Sequence, residues 1–199
     1  MAKSDGLKMA RQLQIYDMLS AVRNGAVYGP ADIMNSFGIG PRMLQRDLKD
    51  LRDCGLIKLN YNKAKDRYVL DGDAAFDETA SPRRRQHLIR LYRLGTLIHA
   101  LSRTDSEKFE HFRHELEEFY EYLEDTDDSP EEIAAMREFY ILHDIEFYDL
   151  KYEYYELFPD SNERTRQRDF LEMRRAGFNI YYSREFGSFI YEYDFKREE

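Results

Sequence analysis

Apolar and polar residues recur at helical spacing from Leu7 to Arg23. Leu7, Ala10, Ile15, Met18, Leu19 and Val22 share a side with Arg11 and Gln14, and Asn24-Gly25 supplies a stop. Gly29-Pro30 opens a short predicted helix over 30–37, with Ile33 and Phe37 on one side. Gly38-Ile39-Gly40 reads as a tight turn, because glycine reaches positive φ at little steric cost. Pro41 suits the first turn of a third helix, 41–54, which Gly55 ends. In it Leu44, Leu48 and Leu51, spaced four and three, are predicted to pack on the first two helices. Arg42, Gln45, Arg46 and Lys49 then fall on the opposite side. After Gly55 come Leu56–Tyr61, a polar turn over 62–66 and Arg67–Leu70, a predicted β-hairpin with Lys63 and Lys65 at its tip.

Helix, turn, helix and basic-tipped hairpin, in that order after a supporting helix, predict a winged helix-turn-helix over residues 1–72. The opposite face of the third helix holds the residue types best suited to reading base edges, with arginine on guanine and glutamine on adenine. The plainer alternative is a helical hairpin with an exposed basic face and no DNA role.

Beyond it, Asp71–Pro82 is polar and irregular and is predicted as a hinge. Ser81-Pro82 starts a helix through about Ser102. Its apolar residues Leu88, Leu91, Tyr92, Leu94, Leu97, Ile98 and Leu101 cover more than one stripe, so it needs partners on more than one side. A further helix over 106–124 carries a stripe that includes Phe109, Phe112, Leu116 and Phe119. Together the two are expected as a spacer or a homodimer interface over 73–128, with intrachain packing against the C-terminal domain as the alternative. A dimer is expected because two-fold regulators commonly read palindromic half-sites.

Composition narrows the function. The chain has 199 residues and a formal net charge of −9, with 15% aromatic residues, which argue against disorder. The charge is uneven: residues 1–72 carry a net +4, while 73–128 and 129–199 carry −6 and −7. Six arginines and no acid lie within 82–103, and six arginines against Asp169 and Glu172 lie within 164–184. A net-acidic chain is poorly steered to DNA as a whole, but local basic faces still bind it. At Arg83-Arg84-Arg85, solvation is expected over a phosphate contact. Cys54, the only cysteine, leaves no intrachain disulfide and no cysteine-rich zinc site. No apolar run approaches the roughly 18 residues of a membrane span, and the first residues lack a signal peptide's apolar stretch. The expectation is a cytoplasmic protein without a membrane partner.

The stretch Gly40-Pro-Arg42-Met-Leu-Gln45-Arg46-Asp47-Leu48-Lys-Asp-Leu51-Arg-Asp-Cys-Gly55-Leu-Ile57 resembles the DNA-binding winged helix of DeoR-like and WYL-type bacterial transcription regulators. Their signature runs Ser-x-Arg-Thr-(apolar)-x-Arg-Asp-Leu-x-x-Leu-x-x-x-Gly, and the likeness covers about residues 7–70. Gly40 stands at the capping serine and Met43 at the threonine, which weakens the helix cap but not the fold. The resemblance implies that Arg42, Met43, Gln45 and Arg46 face DNA. Asp47 is expected to hold an arginine or the scaffold, since phosphate repels a carboxylate. With no tryptophan and little remaining length, a WYL sensing domain is not expected, and no effector pocket follows from the family.

The signature occurs twice. At an offset of 122 positions, Arg42, Gln45, Arg46, Asp47, Arg52 and Gly55 match Arg164, Gln167, Arg168, Asp169, Arg174 and Gly177. The same offset predicts a supporting helix over 128–145, a short helix over 152–159, a second recognition-type helix over 163–176, and a hairpin of 178–182 and 188–193. Thr165 fits the signature better than Met43 does. Arg166 departs from it, since an apolar residue belongs there. Either the helix rotates, or Arg166 lays its stem over the core and exposes its charge.

No enzyme is expected, since phosphate-loop, nucleophile-elbow and paired-carboxylate patterns are all missing. His111 and His114 are read as a solvated helix face rather than a metal site. Cys54 is read as a small, partly buried residue rather than a redox sensor, and the Phe139–Phe158 aromatics as core rather than base-stacking groups. The expected fold is mainly α with small β-hairpin wings: two winged helix-turn-helix domains, 1–72 and 129–199, joined by the helical segment 73–128. The expected function is transcription regulation through double-stranded DNA, read by helix 41–54 and wing 57–70. The second helix, with Arg164, Thr165, Gln167 and Arg168, is the further candidate. No cofactor or small-molecule ligand is expected. The rival is a protein-interaction adaptor whose acidic C-terminal half docks a partner.

Overall fold

A computed structural model describes residues 3–20, 27–70, 74–104, 149–184 and 188–192, with the single residues 114, 129 and 131. The described chain is mainly helical, with two small antiparallel β-hairpins. It divides into two compact units, one of residues 1–99 with 167–177 and one of 100–166 with 178–199.

The first unit opens with α1 (Lys3–Ser20), α2 (Pro30–Phe37) and α3 (Pro41–Asp53). In α1 the buried stripe is Met9, Leu13, Ile15, Tyr16 and Leu19, together with Gln12, while Leu7 stands 71% exposed. The apolar face expected to begin at Leu7 is therefore rotated. The reason is polar: Gln12 turns inward and its Nε2 donates to Asp47 Oδ1 at 3.1 Å and Asp50 Oδ2 at 3.0 Å. The predicted stop at Asn24-Gly25 lies outside the described residues. Gly29 caps α2, its N–H donating to Asp32 Oδ2 at 2.7 Å. Gly40 starts α3 without a side-chain cap, as its replacement of the serine implied. Leu44, Leu48 and Leu51 are buried, as their spacing predicted.

Strands β1 (Leu59–Asn62) and β2 (Arg67–Leu70) pair with Leu59 opposite Leu70 and Tyr61 opposite Tyr68. The predicted first strand began at Leu56, but Leu56 and Ile57 are buried ahead of the strand. Tyr68 N–H donates to Tyr28 O at 2.8 Å, which ties the hairpin to the chain entering α2.

Helix α4 (Pro82–Thr104) buries Leu88, Leu91, Leu94, Leu97, Ile98 and Leu101. These six side chains are covered within the chain, while Tyr92 of the same helix stands 46% exposed. Gly95 sits so close to Leu56 that a Cβ there would run into the leucine side chain. The first unit also contains Gln167–Gly177, most of α6 (Glu163–Arg175). Gly55 and Gly177, at matching places after α3 and α6, have φ of 88° and 90°, a region glycine enters without the strain a side chain brings.

In the second unit, α5 (Leu150–Leu157) starts two residues before the predicted 152–159. Asp149 explains the early start, since its Oδ1 accepts from Lys151 N–H at 2.8 Å and from Phe189 N–H at 3.1 Å. Strands β3 (Asn179–Ser183) and β4 (Ser188–Glu192) pair with Ile180 opposite Tyr191 and Tyr181 opposite Ile190. Arg166 overturns the expectation of an exposed charge, being only 3% exposed. Its guanidinium lies 4.6 Å from the Phe189 ring centroid, and Nη2 lies 2.5 Å from Glu163 Oε1. A buried cation persists only when such partners replace water.

The predicted helix 106–124, His111 and most of 128–145 lie outside the described residues, as does the Phe139–Tyr148 part of the aromatic cluster. His114 is helical and exposed.

Candidate nucleic-acid interface

The outward face of α3 is set by what its inward face holds. Asp47 is fully buried, yet it is a carboxylate. Arg11 grips it with Nε on Oδ2 at 2.7 Å and Nη2 on Oδ1 at 3.3 Å, and Gln12 adds a third donor. Asp47 therefore holds an arginine of the scaffold, as its repulsion from phosphate suggested. One turn on, Asp50 accepts from Lys8 Nζ at 2.7 Å and Arg84 Nη2 at 3.0 Å. Burial alone would raise the Asp50 carboxyl, but the Lys8 ammonium and the Arg84 guanidinium hold it below its ordinary 3.8.

With its leucines and carboxylates turned inward, α3 leaves Arg42, Met43, Gln45, Arg46 and Lys49 exposed. Arg42, Gln45 and Arg46 make no hydrogen bond or ion pair among the described residues, whereas Lys49 Nζ pairs with Asp53 Oδ2 at 2.6 Å. Arg42, Met43 and Arg46 edge one shallow depression at the start of the helix. On the hairpin turn, Lys63 and Lys65 are exposed.

On α6, Arg164, Gln167 and Arg168 are exposed. Thr165 is half-buried and serves the helix start, its hydroxyl donating to Asn162 Oδ1 at 3.0 Å. Asp169 is fully buried. Arg93 of α4 holds it, with Nε on Oδ2 at 2.5 Å and Nη2 on Oδ1 at 2.9 Å. Farther along, Arg90 Nη2 lies 3.3 Å from Glu172 Oε1. Helix α4 thus does for α6 what α1 does for α3: Arg93 corresponds to Arg11, and Arg90 to Lys8, at an offset of 82 positions rather than 122. The segment expected to link two domains thus supplies the helix whose arginines hold the buried carboxylates of α6. The pairs Arg11/Arg93 and Asp47/Asp169 were the signal in the sequence that points to it.

Within the arginine triplet at 83–85, Arg84 differs from the expected solvation. Arg84 bonds Asp50, Asp53 and Asp77, its Nη2 lying 2.5 Å from Asp53 Oδ2. Those carboxylates, Asp53 foremost, push its guanidinium well above the ordinary range. Arg85 pairs with Glu78 at 2.6 Å, and Arg83 is exposed without an ion pair among the described residues. A groove of about 820 Å³ runs past Arg83, Arg84, Arg46 and Arg168.

Cys54 is fully buried, its thiol donating to Leu51 O at 3.3 Å. Burial, with Asp50 and Asp53 nearby, pushes that thiol up to about 12, so it stays protonated at neutral pH. Among the described residues no group of three or more His, Cys, Asp or Glu is placed to hold a metal ion, and no helix is long and apolar enough to cross a membrane. No family model, curated protein or solved structure matches this chain.

Proposed function

We propose that the chain is a DNA-binding transcription regulator of the DeoR-like and WYL-type kind. In this reading α1–α3 and the β1–β2 hairpin form a winged helix-turn-helix. Helix α3 enters the major groove, and Lys63 and Lys65 lie against the phosphate backbone. The observation that carries the reading is the sorting of α3. Every apolar and acidic side chain from Leu44 to Leu51 is turned inward, while Arg42, Gln45 and Arg46 stand exposed with no hydrogen bond or ion pair among the described residues. Arginine and glutamine present paired donors and acceptors that match guanine and adenine edges.

On the same reading α4, α5, α6 and β3–β4 are a second copy, in the order of α1, α2, α3 and β1–β2. Its first two helices are separated by the longer stretch 105–149.

The test is a fluorescence-anisotropy titration of random duplex DNA, at low and moderate salt, with the full chain and with Arg42→Ala. A steep salt dependence that Arg42→Ala reduces supports the reading. No binding at low salt rejects it and favours the adaptor, with the acidic residues 129–199 as the docking half.

A further inference from the structure

The groove beside α3 is not accounted for by base reading. Lys8 is paired there with Asp50, Arg84 with Asp50, Asp53 and Asp77, Arg90 with Glu172, and Arg93 with Asp169. Arg46, Arg83 and Arg168 also line it, all three exposed and without an ion pair among the described residues. Its only carboxylate, Asp50, is already engaged. Three guanidiniums from α3, α4 and α6 therefore leave a net positive concavity on a chain of net charge −9.

Two of the three are matched residues, since Arg168 follows Arg46 at the offset of 122 positions. Each copy of the signature thus contributes the arginine before its buried aspartate to one groove. The start of α4 lies there too, where the helix dipole favours an anion. A one-sign groove with protein walls concentrates counter-ions, and the planar guanidinium fork matches phosphate oxygens.

We propose that this groove seats the phosphodiester backbone of the duplex that α3 reads, with Arg83 and Arg168 as its phosphate contacts beside Arg46. The inference rests on the DNA-binding reading above. It assigns Arg168 of α6 to the same stretch of duplex as α3, where a paired recognition helix would read a separate half-site about 34 Å away. Base sequence is not read in the groove, so its contribution is the same for every duplex.

The experiment measures the salt dependence of affinity for a random duplex with the full chain, Arg83→Ala, Arg168→Ala and Arg85→Ala. Arg85 lies on the same turn of α4 but pairs with Glu78 and does not line the groove. The expected result is a log–log salt slope lower by about one for each groove variant. Arg85→Ala, with the same change in net charge, leaves the slope unchanged, and Arg168→Lys restores most of it. Equal slopes for all three alanine variants, with the parent chain still binding, overturn the groove and leave the DNA reading standing. A parent chain with no salt-dependent binding overturns both.

Discussion

Arg93 holds Asp169 through two parallel N–H···O bonds, at 2.5 and 2.9 Å, as Arg11 holds Asp47 at 2.7 and 3.3 Å. Both carboxylates are fully buried, and each arginine is reached from the helix that supports a recognition-type helix. Burying a carboxylate is costly unless a cation and further hydrogen bonds replace its water.

Removing one partner therefore strands a buried charge. Arg93→Ala is expected to destabilise the protein by about 3 kcal/mol, the low end for such pairs because Arg93 keeps some solvent contact. The double substitution Arg93→Leu with Asp169→Leu recovers most of the loss. Urea unfolding midpoints of the single and double variants check this, and a double variant as weak as Arg93→Ala would refute the explanation.

If α3 reads DNA as proposed, Arg42→Ala and Gln45→Ala are each expected to cost about 1–3 kcal/mol of specific DNA binding. Lys63→Ala and Lys65→Ala are then expected to weaken binding to all sequences alike and lower the salt slope. Competition titrations with specific and random duplexes separate the two classes. A uniform effect from Gln45→Ala would remove that residue from base reading.

Acid should loosen the seam between α1, α3 and α4. Asp50 is held below its ordinary 3.8 against the raising effect of burial, by Lys8 and Arg84; Asp53 likewise, by Lys49 and Arg84. Groups with depressed folded values stabilise above their unfolded pKa, and that contribution is lost as pH falls through the folded value. Unfolding midpoints are thus steady above about pH 5 and fall below about pH 4. Arg84→Met lowers stability at neutral pH and flattens the acid limb.

Gly95→Ala should cost about 1–3 kcal/mol, because the added methyl collides with Leu56. Pairing it with Leu56→Ala makes room, so the two effects are less than additive in a thermal-melt cycle. Strict additivity would show that Gly95 has another role.

Cys54 should resist iodoacetamide at neutral pH in the folded protein and react on unfolding, as its buried, raised thiol requires. Rapid labelling without loss of structure would contradict that burial.

Much of the local structure was legible in the residues alone. The leucines of α3, the glycines around α2 and the two hairpins are signalled by spacing and turn chemistry, which act over a few residues. Leu7 was expected on the buried face and one alternative for Arg166 exposed its charge; both differ from the structure for a shared reason. Periodicity marks apolar residues, but which polar side chain turns inward depends on the partner it meets, here Asp47 and Asp50 for Gln12, and Glu163 and Phe189 for Arg166.

The sequence by itself determined that α3 has an apolar face and a basic face, and that its signature recurs in α6. It did not determine which helix holds α6. Asp47 and Asp169 repeat at an offset of 122 positions, but the arginines that hold them, Arg11 and Arg93, repeat at 82, so a single overlay does not reach α4. Only tertiary structure brought Arg93 to Asp169, Arg84 to Asp50 and Arg168 to the groove of Arg46. A buried carboxylate requires a cation, but distance along the chain does not say which one, and only the packed fold brings a particular arginine within reach.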